Sequence, residues 1–117
     1  MNKFFKIIIS LFLLIIVINP STQASDIKIK IGLLVPMSGE NKDIGNQIIK
    51  ATRIALKDIG SKNIEIYPKD TSSNPNQTIK SAIQLKEMGI KIVIGPVFHK
   101  SLIYLDELKE ITFVSLT

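Results

Sequence analysis

The chain has no cysteine and only one histidine. Disulfides, thiol chemistry and cysteine-ligated metals are therefore excluded, as is a lipid-modified amino-terminal cysteine. Such a protein can live in an oxidising compartment without depending on one. His99 has no second histidine or acid cluster at ligand spacing beside it, so no metal motif is present. No Gly-x-Gly-x-x-Gly follows the first strand-like run and no Gly-Lys-Ser/Thr phosphate loop occurs, which removes the signatures of dinucleotide and triphosphate binding. Ser38 and Ser101 lack an evident general base. Neither a cofactor nor enzymatic activity is expected. The formal net charge is +5, but Lys3 and Lys6 fall in the amino-terminal segment and the remaining cations are scattered. Without a Lys/Arg cluster or interleaved aromatics, no nucleic-acid partner is expected.

What is present is a globular composition, 45% hydrophobic and 21% charged over 117 residues. Residues 1–24 carry the three parts of a secretory signal. Lys3 and Lys6 open it, Ile7 to Ile18 form an apolar run broken by Ser10, and Asn19-Pro20 ends the run ahead of Thr22-Gln23-Ala24. That run is shorter than the roughly 20 residues needed to span hydrocarbon. Cleavage is expected after Ala24, delivering a mature protein that begins near Ser25 to the periplasm.

Residues 25–117 alternate between strand-like and helix-like patterns. Ile27 to Val35 starts with alternating lysines and becomes continuously apolar, as a strand with a wet start and a buried end would. Pro36-Met37-Ser38-Gly39 breaks it. Ile44, Ile48, Thr52, Ala55, Leu56 and Ile59 then recur at helical spacing up to Gly60, a C-cap. Asn63 to Tyr67 sets Ile64 and Ile66 against a solvated Glu65 and Tyr67, which suits an edge strand closed by Pro68. Asn74, Pro75 and Gln77 have the N-cap, N1 and capping-box pattern of a helix start. Ile79, Ala82, Ile83 and Met88 form that helix's expected stripe, and Gly89 its stop. Ile90 to Ile94 reads as a central strand buried on both faces, stopped by Gly95-Pro96. Leu102, Ile103, Leu105 and Leu108 suggest a third helix, and Ile111 to Ser115 a fourth strand.

The order β-α-β-α-β-α-β predicts an α/β fold, a Rossmann-like parallel sheet with helices on both faces and spatial order 2-1-3-4. The switch point then lies between the first and third strands, where open α/β sheets bind ligands. Three loops are expected to converge there: Pro36 to Asp43, Gly95 to Ser101, and Ser115 to Thr117. Asp70-Thr71 is read as a turn that caps and orients the second βα connection. A fourth strand with no further helix over Phe113 and Val114 reads as an incomplete lobe, so a fragment is expected.

At Lys30-Ile31-Gly32-Leu33-Leu34-Val35-Pro36-Met37-Ser38-Gly39, Asp70-Thr71, Ile94-Gly95-Pro96 and Ser115-Leu116-Thr117, the sequence resembles the type I periplasmic binding proteins, the leucine-binding superfamily. The resemblance implies two lobes closing on a ligand, of which this chain would supply roughly the first half of one. It implies ligand contacts from Ser38 and Gly39, from Phe98, His99 and Ser101, and from Ser115 and Thr117. Phe98 and His99 stand where amino-acid-binding members place small hydroxyl residues, which points away from an amino-acid ligand. The short path from the first helix to the second strand and the Gly-Pro-Val-Phe feature are closer to penicillin-binding protein activators, non-enzymatic regulators of cell-wall synthesis. The implied partner is a membrane permease complex for a transport component, or a cell-wall synthase for a regulator.

Overall fold

The computed structural model describes residues 2–16 and 26–117. Lys3–Ile16 forms an apolar helix, α1. The cleavage site expected after Ala24 lies outside the described residues. No helix among the described residues is long and apolar enough to cross a membrane.

Four strands, β1 (Ile29–Val35), β2 (Ile64–Asp70), β3 (Ile92–Ile94) and β4 (Thr112–Val114), make one parallel sheet in the order β2-β1-β3-β4. Both the parallel pairing and the strand order match the sequence-based expectation. β1 is exposed at Ile29 and Lys30 and fully buried from Gly32 onwards. Leu33, Leu34 and Val35 have no exposed surface, and burying such side chains stabilises by about 1.5–3 kcal/mol each.

Side chains alternate across the sheet, so Gly32 and Leu34 face one layer and Leu33 and Val35 the other. The first layer is the main core. Leu34, Val93 and Ile111 meet Ala82 and Leu85 of helix α3 (Pro75–Glu87), with Ile90 and Leu105 completing the cluster. Gly32 makes room for α3, because a Cβ there would lie 2.7 Å from Leu85 Cδ1. Helix α2 (Lys42–Ile59) ends at Gly60 in the left-handed conformation, as its C-cap role requires.

Several local expectations are corrected. β2 runs through Pro68 rather than stopping there. As the edge strand it has one neighbour, so a residue without an N–H need not break the ladder. Tyr67 is not on a solvated face; it packs against the main core while its hydroxyl donates to Glu65. The buried side of α3 is Thr78, Ser81, Ala82 and Leu85, leaving Ile83 and Met88 exposed. Hydroxyls can occupy that face because Thr78 Oγ1 donates to the Asn74 carbonyl and Ser81 Oγ to the Asp70 carbonyl. Asn74 does cap α3, accepting from the Asn76 and Gln77 amides, but Gln77 turns toward Ser81, so the reciprocal half of the capping box is not made.

β3 is not buried on both faces: Val93 is buried and Ile92 is 44% exposed. The segment after it forms two 3₁₀ turns, His99–Ser101 and Ile103–Leu105, rather than an α-helix. Its buried and half-buried apolar positions recur at intervals of three, through Leu102, Leu105, Leu108 and Ile111. The backbone follows the same period, with Leu105, Leu108 and Ile111 each donating to the carbonyl three residues back. A repeat of three is the period of a 3₁₀-helix and drifts off the face of an α-helix.

Candidate functional site

The carboxyl ends of the strands are drawn together by two glycines. Gly95 has φ +108°, and a Cβ on it would lie 2.4 Å from the Leu34 carbonyl oxygen, so the end of β3 sits hard against β1. Gly45, in the first turns of α2, lies so close to Pro36 that a Cβ would fall 1.7 Å from the Pro36 carbonyl oxygen. That approach folds the β1–α2 loop back over the strand end.

Asp70, the last residue of β2, then ties this loop to the next one. One carboxylate oxygen accepts from the backbone amides of Met37 at 2.7 Å, Ser38 at 3.2 Å and Ser72 at 2.8 Å. The other accepts from the hydroxyls of Ser38 and Ser72 at 2.5 Å and 3.0 Å. Burial raises the carboxyl pKa, but bonds from the Ser38 hydroxyl, the Met37 amide and Ser72 outweigh it and hold the group at about 2, below the ordinary 3.8. Asp70 thus joins and orients the first two βα loops, and its five donors satisfy the carboxylate internally.

Beside this knot is an open cleft of about 310 Å³ lined by Asn41, Ser73, Pro75, Phe98, His99 and Lys100. Three βα loops reach it: Asn41 from the first, Ser73 and Pro75 from the second, and Phe98 to Lys100 from the third. Asn41 Nδ2 donates to Ser73 Oγ at 3.1 Å, so two lining side chains already touch. The lining includes a lysine and no carboxylate. Phe98 and Pro75 supply apolar walls, while the amide, hydroxyl and ammonium groups can orient a small polar or anionic guest.

Of the residues singled out from sequence, Phe98 and His99 line this cleft. Ser38 and Gly39 are exposed next to it, with the Ser38 hydroxyl hydrogen committed to Asp70. Ser101 is only 2% exposed, held in the first 3₁₀ turn below His99. Ser115 accepts from the Thr117 amide, and neither residue lines the cleft, so the third converging loop is the one after β2 rather than the one after β4. Asn41 and Lys100 belong to the expected loops Pro36 to Asp43 and Gly95 to Ser101 but were not singled out, and no expected loop included Ser73 and Pro75. Their signal was topological: in the order 2-1-3-4 the loop after β2 emerges at the same rim as the loop after β1. Among the described residues no three His, Asp or Glu side chains could hold a metal ion together.

Residues 28–106 match a protein family described as periplasmic binding protein. No curated protein matches the chain. Among solved structures, the solute-binding protein of an ABC transporter from Rhodopseudomonas palustris, in complex with 3,4-dihydroxybenzoic acid, is similar over 78% of this chain and 27% of its own, at 25% identity and TM-score 0.71. The C-domain of LpoA from Haemophilus influenzae, a regulator of PBP1A, is similar over 74% of this chain and 27% of its own, at 30% identity and TM-score 0.60. The leucine-binding protein LivK from Thermotoga maritima shares the fold over 74% of this chain and 27% of its own, at 20% identity and TM-score 0.66. The chain therefore spans about a quarter of the length of these neighbours.

Proposed function

Because this chain belongs to the periplasmic binding protein family, we propose that it is the amino-terminal part of an exported solute-binding component of an ABC-type transport system. In this reading residues 1–24 are a cleaved leader that delivers the protein to the periplasm. Residues 25–117 are the first part of the amino-terminal lobe, which binds a solute and catalyses nothing. The observation that carries it is the rim cleft between the loops after β1, β2 and β3, with apolar walls and uncommitted polar groups. A second lobe closes over the solute by hinge motion, and the closed form is presented to a membrane permease.

The test is thermal unfolding of the intact mature protein against a panel of small organic acids and amides, with 3,4-dihydroxybenzoate as the first probe. A ligand that binds only the folded state stabilises by about 2.7 kcal/mol at a hundredfold excess over Kd. A rise in Tm of several degrees with at least one solute is expected.

A second reading is favoured by one feature of the site. The Ser38 hydroxyl, one of the groups that the family resemblance assigns to a solute, donates its hydrogen to Asp70. This suits a regulator that contacts a cell-wall synthase and needs no solute, as the LpoA likeness would imply. Co-purification of the intact protein with a penicillin-binding protein, together with no thermal response to any solute, would select this reading over the first.

A further inference from the structure

Ser72 and Ser73 are successive non-glycine residues at positive φ, 47° and 53°. Such a conformation is sparsely populated by side-chain-bearing residues and persists where its surroundings enforce it. Here the enforcement is visible. The Ser72 amide and hydroxyl both donate to Asp70, and Ser73 Oγ accepts from Asn41 Nδ2 at 3.1 Å. That bond uses one amide hydrogen of Asn41 and a lone pair of Ser73. The second amide hydrogen and the Ser73 hydroxyl hydrogen have no acceptor among the described residues, and both side chains line the cleft.

We propose that Asn41 and Ser73 form a paired hydrogen-bond donor for a carboxylate in the cleft, with Asp70 as the positioning residue that fixes their separation. The inference rests on the solute-binding reading and names its substrate class, a small organic acid with a flat or apolar body. Phe98 and Pro75 bracket the body, Lys100 adds positive charge, and no acidic side chain lines the cleft to oppose an anion. Asp70 itself touches no ligand. Its oxygens are filled by the two loops it joins, and its effect on the cleft passes through Ser72 to Ser73.

The experiment compares 3,4-dihydroxybenzoate with its uncharged methyl ester by titration calorimetry on the intact protein, alongside the nuclear magnetic resonance signal of the Asn41 side-chain amide. Asn41→Asp should weaken the acid at least tenfold and leave the ester within about twofold. Asp70→Asn, which keeps one acceptor oxygen, should lower the ratio of acid to ester affinity and move the Asn41 amide signal. The remote variant Lys86→Gln should change neither. Equal weakening of acid and ester in Asp70→Asn would show a merely structural role and overturn the proposal. So would an unmoved Asn41 amide in that variant, whatever the titration gives. An acid that does not bind the unaltered protein contradicts the carboxylate-donor assignment, while a thermal response to uncharged amides would leave the solute-binding reading standing without it.

Discussion

At the scale of single residues, Asp70 and two glycines set the geometry of the rim. The folded-state pKa of Asp70 is about 2 against an ordinary 3.8, so the unfolded chain binds more protons in that window. Its contribution to stability, about 1–2 kcal/mol after allowance for nearby solvent, is therefore complete above pH 4 and lost as the pH falls through 2. Urea midpoints measured from pH 6 to pH 2 should drop for the natural sequence, and Asp70→Asn should flatten the part of that drop which Asp70 supplies. Gly45 and Gly95 are irreplaceable for a different reason. An added Cβ meets backbone oxygen rather than a movable side chain, and Gly95 also has a positive φ. Gly45→Ala and Gly95→Ala should each cost more than about 2 kcal/mol in denaturant unfolding, whereas Gly32→Ala should cost less because its Cβ meets the Leu85 and Val93 side chains rather than backbone.

At the scale of elements, what the sequence made legible was whatever depends on local pattern. The apolar runs of β1 and β3, the left-handed Gly60 cap and the Asn74-Pro75 helix start all follow from periodicity or turn chemistry. What it hid depended on partners distant in sequence. Ser81 looks like a surface residue until the Asp70 carbonyl arrives from the preceding strand to accept from it, while Thr78 is satisfied by the Asn74 carbonyl one helical turn back. The 3₁₀ period of Leu102, Leu105, Leu108 and Ile111 was visible in the spacing, but Ile103 filled in a helical look, although it is exposed. The site divides the same way: Phe98 and His99 follow a strand-ending Gly-Pro, while Asn41 and Ser73 are joined only by the sheet order. The half-made capping box gives a direct comparison. Asn74→Ala should destabilise by about 1 kcal/mol, and Gln77→Ala by well under 0.5 kcal/mol because Gln77 does not close the box. Chemical denaturation of both variants under one condition measures the difference.

At the scale of the whole molecule, one layer is well packed and the other is sparse. The α3 layer holds the main core. On the opposite face Ile92 and Val114 are 44% and 50% exposed, and Ile44, Ile54 and Ile59 of α2 are also uncovered. Apolar side chains left exposed in this way are available for other protein to cover, in keeping with neighbours of which the chain spans about a quarter. Residues 26–117 produced alone should bind a hydrophobic dye and associate as concentration rises, and Ile92→Lys with Val114→Lys should reduce both. The central claim is that one rim of this sheet receives a guest through the loops after β1, β2 and β3. Its most direct test is the map of backbone and side-chain resonances that move when the intact, isotope-labelled protein is titrated with 3,4-dihydroxybenzoate. Movement centred on Asn41, Ser73, Phe98, His99 and Lys100 is the predicted result. Movement confined to the opposite rim around Lys28 and Glu65, or none at saturating acid, would contradict it.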